Sequence, residues 1–182
     1  MLGFVRGRPP ELRPVALRDV FDRVRRTMAS GLRDGVTLEI AYLDGTLRLQ
    51  AAADELAGAL CNLVQNAAEL EQDRVDIVLW GGATSPETLQ ISVRDNGPGI
   101  DDEILPRLFD PFFTTRARGT GLGLAVVAMT VAQHGGEVRA RNHGQGAEFL
   151  IDLPLLARSN PERDDSGTAA ATEPAEADGD RR

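Results

Sequence analysis

The chain contains no lysine. Among its 182 residues every basic side chain apart from two histidines is arginine. That excludes the P-loop and the protein-kinase strand lysine, both of which place lysine on phosphates. Cysteine is nearly as scarce. The single Cys61 excludes an internal disulfide and, lying in an apolar helical stretch, reads as a small core residue. The net charge of −8 argues against nucleic acid as a partner. No uncharged run is long enough to span a bilayer; the longest, Gly119 to Gln133, is interrupted by glycines. With no basic-then-apolar leader, no membrane contact is expected and the default compartment is the cytoplasm.

What is present suits one compact domain: 42% of the residues are hydrophobic, enough for a real core. Residues 1–13 are rich in arginine, proline and glycine. Val15 to Met28 carries apolar residues at helical spacing in its latter part. Residues 37–43 and 46–50 alternate as short strands. Asp44-Gly45 between them predicts a hairpin. Asp54 to Leu70 reads as a helix whose buried stripe is Leu56, Leu60, Leu63, Val64 and Ala67. Strands are predicted at Val75–Trp80 and Leu89–Val93, with Gly81-Gly82 and Ser85-Pro86 as the turn region. A long loop follows from Leu105 to Gly119, then a buried helix over Leu122–Gln133 and two closing strands, Glu137–Asn142 and Ala147–Leu153. Residues 157–182, acidic and alanine-rich, read as a disordered tail.

Three features carry chemistry. Asp95 precedes a glycine turn, Asn96-Gly97-Pro98-Gly99-Ile100, at a strand end. A carboxylate there suits an exocyclic amine such as adenine N6, and the glycines permit a flat ligand to approach. Guanine presents an acceptor at the same place and would be rejected. Gly119-Thr120-Gly121-Leu122-Gly123-Leu124 opens a helix, whose free N–H groups suit a phosphate. Asn62 and Asn66, four apart, share one helical face. One neutral amide is sufficient protein ligand for Mg2+, which keeps phosphate and water oxygens around it.

Taken together, these segments resemble the nucleotide-binding domain shared by DNA gyrase, the Hsp90 chaperone, sensor histidine kinases and MutL. The match is closest to the histidine-kinase catalytic domain. Residues 62–67 look like its N box, Asp95 to Ile100 like the first glycine box, Leu108 to Thr115 like the F box, and Gly119 to Leu124 like the second glycine box. His134-Gly135-Gly136 and Gly146-Ala147-Glu148-Phe149 fit as well. The resemblance runs from about residue 14 to 155. It implies a two-layer α/β sandwich of the Bergerat type: a mixed, mainly antiparallel sheet, helices on one face and a long ATP lid. The catalytic domain would occupy residues 14–156. Residues 1–13 would be the remnant of a preceding dimerisation hairpin or linker.

The same resemblance implies roles. Asn66 would ligand Mg2+ and Asn62 would support the phosphates or metal. Asp95 would read adenine, and Gly97, Gly99 and Ile100 would shape the base pocket. Leu105 to Gly119 would be the lid, with Thr115 and Arg116 near the phosphates. Gly119, Thr120, Gly121, Leu122, Gly123 and Leu124 would meet the triphosphate. Three positions depart from the family pattern. Glu69 stands where many members have a lysine, Arg116 replaces the lid lysine, and Ala147 stands where a hydroxyl is common.

Asn62 also bears on the reaction. Gyrase-like ATPases and anti-sigma-factor kinases have a glutamate at that position. Asn62 cannot act as a general base, so phosphoryl transfer is favoured over fast hydrolysis. Neither His134 nor His143 is followed by an acidic residue, as the acceptor histidine of a sensor kinase would be. His134 reads as packing near a helix C-terminus and His143 as a solvated turn residue. The expectation is a histidine-kinase catalytic module that binds ATP and Mg2+. It would donate the γ-phosphate to a histidine on a separate dimerisation domain, and would neither label itself nor dimerise alone. The 1–7 and 14–17 segments resemble kinases paired with nitrogen-regulator-class activators, flagellar ones included, so the implied downstream partner is such a response regulator. The alternatives are a stand-alone anti-sigma-type serine kinase or nucleotide-dependent binding regulator, and a degenerate binding module.

Overall fold

The computed structural model describes residues 10–42, 46–116 and 119–156. The Asp44-Gly45 turn, the 157–182 tail and residues 1–9 of the N-terminal segment lie outside the described residues.

Strand β1 (Arg13–Ala16) runs straight into helix α1 (Leu17–Met28). Leu17, Val20, Phe21, Val24 and Met28 recur at helical spacing on α1 and are all buried. Strands β2 (Val36–Tyr42) and β3 (Arg48–Ala51) follow, then helix α2 (Ala53–Ala68). Its predicted stripe, Leu56, Leu60, Leu63, Val64 and Ala67, is buried throughout. Truncating one of these leucines to alanine costs about 2–5 kcal/mol, because the cavity adds to the lost transfer energy. Strands β4 (Val75–Ala83) and β5 (Thr88–Asp95) precede the lid segment, which holds one short 3-10 turn at Leu105–Arg107. Helix α3 (Gly123–Gln133) and the strands β6 (Glu137–His143) and β7 (Gly146–Pro154) complete the order.

The main sheet has the order β2-β4-β5-β7-β6. Its β2–β4 pair is parallel and its other pairs are antiparallel. Ile77, Leu79, Leu89, Ile91, Val93, Ile151 and Leu153 point to one face and are buried under the helices. The opposite face carries Trp80 on β4, Arg94 on β5 and Arg141 on β6. This is the mixed, mainly antiparallel α/β sandwich that the motifs imply.

Three local expectations are corrected. First, β2 and β3 do not form a hairpin. β2 pairs in parallel with β4, setting Val36, Leu38 and Ile40 beside Val75, Ile77 and Leu79. β3 instead pairs with β1 in a separate two-stranded sheet, Arg13 opposite Ala51 and Ala16 opposite Arg48. A four-residue β3 could complete little of the seven-residue β2, whereas β4 continues its apolar row over the whole length. Second, Gly81-Gly82 is not a turn but part of β4. A Cβ on Gly81 would stand 2.6 Å from Leu17 Cδ2 and 2.8 Å from Phe21 Cζ, so α1 rests directly on the strand backbone. Third, α3 is not buried all round. Val127, Thr130 and Val131 face inward, but Val126 and Met129 are exposed.

His134 packs at the C-terminus of α3, as expected, and does more there. It is 3% exposed. Nδ1 lies 2.7 Å from the Thr130 carbonyl, and Nε2 accepts the Ala52 N–H at 3.0 Å. The ring therefore carries its proton on Nδ1 and ties the end of α3 to the start of α2, where no side chain caps the helix. His143 is exposed and ends β6 rather than lying in the turn itself. Cys61 is only half-buried; burial pushes its thiol up, and a hydrogen bond with Thr27 on α1 partly offsets this.

Candidate functional site

β5 delivers Asp95 to the edge of the helical layer. Its Oδ1 accepts two main-chain N–H groups, Gly97 at 2.9 Å and Ala147 at 3.2 Å. Two donors on one oxygen fix the carboxylate, and among the described residues its other oxygen accepts no hydrogen bond. The β6–β7 hairpin comes close enough to do this only because residue 146 is glycine. A Cβ there would collide with the Asp95 carbonyl. Asn96 ties the same turn to β4, its Oδ1 accepting the Asp76 N–H at 2.9 Å.

Gly97 also packs against Leu70, just past the end of α2. A Cβ on Gly97 would meet Leu70 Cδ1, so the chain just beyond α2 packs on the first glycine turn. Gly99 has φ +81°, and Ile100 is half-buried after it. Asn142, at the end of β6, holds Ile100 by both main-chain groups: the Ile100 N–H donates to Oδ1 at 2.7 Å, and Nδ2 donates to the Ile100 carbonyl at 2.8 Å.

Asn62 and Asn66 stand one turn apart on α2, both half-buried. Among the described residues neither side-chain amide makes a hydrogen bond, so both remain available. Arg116 is brought to this helix from the lid segment. Its guanidinium pairs with the Glu69 carboxylate and donates to the Asn66 carbonyl at 2.6 Å. Thr115, adjacent to it, is exposed.

The 105–119 segment is held at Phe109 and Phe112. Phe109 packs edge-to-face on Phe149 with ring centroids 6.4 Å apart. Phe112 has φ +66°, the only positive φ of a non-glycine residue among those described, and its N–H donates to the Gly121 carbonyl at 2.9 Å. Backbone strain of this kind persists only where surrounding contacts enforce it. Gly119 lies against Thr114, whose hydroxyl accepts the Arg116 N–H at 3.1 Å. Gly119, Thr120 and Gly121 thus precede α3. The helix begins at Gly123 after Leu122, with no side chain capping its first N–H groups. Those donors and the positive end of the helix dipole suit an anion. Leu124 begins the inward face.

The structure therefore gathers Asn66, Arg116 and Glu69 at the end of α2, with the Asp95 turn joined to that end through Leu70. Asn62 is on the same helix, but among the described residues no hydrogen bond links its side chain to the 105–119 segment. Asn142 and the Ala147 N–H were not identified from sequence. Both act on segments more than 40 residues away, and no local pattern marks them. Among the described residues no three His, Cys, Asp or Glu side chains group to hold a metal. The donor set offers instead the free amides of Asn62 and Asn66, and one such neutral amide fits Mg2+ carried on a triphosphate.

On the sheet's open face, Glu148 is fully buried between Arg94, at 2.5 Å, and Arg141, at 2.5 Å. Burial alone would push this carboxyl up. The hydrogen bonds and charges of the two guanidiniums outweigh it and hold the group below the usual glutamate range.

A fold and site of this kind define a nucleotide-binding domain. Residues 51–157 match the family of histidine kinase-, DNA gyrase B-, and HSP90-like ATPases, and the chain belongs to that family. Within it the relatives are sensor kinases. The chain is 34% identical to the sensory histidine kinase/phosphatase NtrB of Rhizobium leguminosarum bv. phaseoli, over 92% of this chain and 47% of that protein. It thus spans about half the length of such relatives. The catalytic domain of histidine kinase ThkA superposes with a TM-score of 0.72 at 28% identity, covering 79% of this chain and 95% of that one. Full-length ShkA, solved in complex with AMPPNP, gives a TM-score of 0.72 at 28% identity, over 84% of this chain and 33% of that one. The chain is a domain of the histidine-kinase catalytic type, similar to that of the NtrB kinases, and the anti-sigma-type alternative is not favoured. Among the described residues no helix is long and apolar enough to cross a membrane.

Proposed function

We propose that this domain binds Mg-ATP and donates the γ-phosphate to a histidine on a separate hairpin domain. The observation that carries this reading is the meeting of Asn66, Arg116 and Glu69 at the end of α2, joined through Leu70 to the turn that fixes Asp95. Asp95 would accept from adenine N6, and Ile100, held by Asn142, would form a wall of the base pocket. The Gly119–Leu124 main chain would hold phosphate oxygens. Asn66 would ligand Mg2+, which when bound neutralises phosphate charge; Asn62 and Thr115 would support that end.

In the reaction the bond from the γ-phosphorus to the β–γ bridging oxygen breaks and a phosphorus–nitrogen bond to imidazole forms, with ADP leaving. Positioning and charge neutralisation do most of the work in phosphoryl transfer. Asn62, where a water-activating glutamate would stand, gives no base for hydrolysis. Phe112, Leu122, Val126 and Met129 leave an exposed apolar patch beside the lid, which suits a docking helical hairpin. A response regulator of the nitrogen-regulator class would take the phosphate from that histidine. The domain would occupy residues 14–156 and work in the cytoplasm.

Incubation with γ-labelled ATP, alone and with a histidine-bearing hairpin domain from an NtrB-type kinase, tests this. Label should appear on the hairpin only. Label on the isolated chain, or rapid release of free phosphate, refutes the reading.

A further inference from the structure

Glu69 and Arg116 come from segments 47 residues apart, and their meeting has a local cause. At the end of α2 the Glu69 N–H bonds the Gln65 carbonyl and the Leu70 N–H bonds the Ala67 carbonyl. The Asn66 carbonyl is thereby left without a main-chain donor, and Arg116 fills it at 2.6 Å. The guanidinium sits at the negative end of the helix dipole, where a cation is favoured. Glu69 is itself steadied: Gln65 Nε2 donates to its Oε1 at 2.9 Å, while Arg116 takes Oε2. One carboxylate thus holds the lid's arginine against the main chain of Asn66, the candidate magnesium residue.

We propose that Glu69 is a positioning residue that competes with the nucleotide's phosphates for Arg116 and so sets nucleotide affinity. This rests on the ATP-binding reading above. The pair is 39% exposed on the arginine side and 49% on the glutamate side, so solvent screens it and it is weak. Charge-assisted bonds from a guanidinium to phosphate are stronger and can be bidentate. A triphosphate arriving at Asn66 therefore wins Arg116, at the cost of breaking the Glu69 contact. Gln65 keeps the carboxylate in place to take the arginine back once the nucleotide leaves.

A two-by-two series tests this: wild type, Glu69→Gln, Arg116→Gln and the double variant, each titrated with ATP and with adenosine in the presence of magnesium. Glu69→Gln should tighten ATP by about two- to fivefold. It should leave adenosine affinity and the thermal midpoint unchanged. In the Arg116→Gln background the same change should have no effect on ATP. Equal tightening in both backgrounds would mean that Glu69 repels phosphate directly, and overturns the proposal. Weaker or unchanged ATP binding by Glu69→Gln overturns it too. Wild-type protein that binds no ATP overturns the functional reading itself, and this inference with it.

Discussion

Asn142 grips Ile100 at both ends of its own amide, accepting the main-chain N–H at 2.7 Å and donating to the carbonyl at 2.8 Å. The grip joins the end of β6 to the first glycine turn and fixes one wall of the proposed base pocket. Asn142→Ala should weaken ATP binding by about tenfold, the worth of one to two net hydrogen bonds. The thermal midpoint should fall by only about 2–4 °C. Calorimetric titration beside a melting curve checks this. A large loss of stability with proportionate loss of binding would show that Asn142 merely holds the fold.

Asp95→Asn probes the adenine contact. The amide oxygen can still accept from Gly97 and Ala147, so the turn should survive. The other atom becomes an NH2, which opposes adenine N6 rather than accepting from it. Loss of a charge-assisted bond predicts ATP affinity lower by about 1.5–3 kcal/mol. Affinity equal to wild type would sink the assignment.

Glu148 gives the domain an acid-sensitive support. Its folded carboxyl lies below the ordinary range, because Arg94 and Arg141 outweigh the effect of burial. The stabilisation is therefore fully present above the unfolded value, about 4.3, and is lost as pH falls through the folded one. Glu148→Gln should cost about 1–3 kcal/mol at pH 7, given partners that remain partly exposed. It should cost progressively less below pH 4. Urea unfolding of both proteins at pH 7, 5 and 3 measures the difference, and a gap that does not narrow in acid contradicts the account.

His134 should prove structural rather than phosphate-accepting. His134→Ala removes a buried ring and its two partners, Ala52 and Thr130, at a cost of about 2–4 kcal/mol. Phosphate transfer to an added hairpin domain, scaled to the folded fraction, should be unchanged. Transfer abolished in fully folded protein would give His134 a chemical part.

Much of this architecture is legible where the signal is periodic and local. Leu56, Leu60, Leu63 and Val64 declare the buried face of α2 before any partner is known, since 3.6-residue spacing admits one face only. The β6–β7 hairpin is legible for a similar reason: Gly144, with φ +61°, sits at the tight turn between alternating strands. Asp44-Gly45 misled because a turn signal reports a change of direction, not which strand will pair. Gly81 misled because the space above it is filled by Leu17 and Phe21, which lie far earlier in the chain.

The sequence by itself determined the chemistry on offer. With no lysine, any phosphate must be met by arginine, amide and main chain, and neither histidine is followed by an acid. The tertiary structure alone decided which groups meet. Asn142 on Ile100, the Ala147 N–H on Asp95 and Glu69 on Arg116 are all contacts between distant segments. Each arises because packing β7 against β5, or the lid against the end of α2, leaves one polar group needing a partner, and sequence spacing does not encode that need.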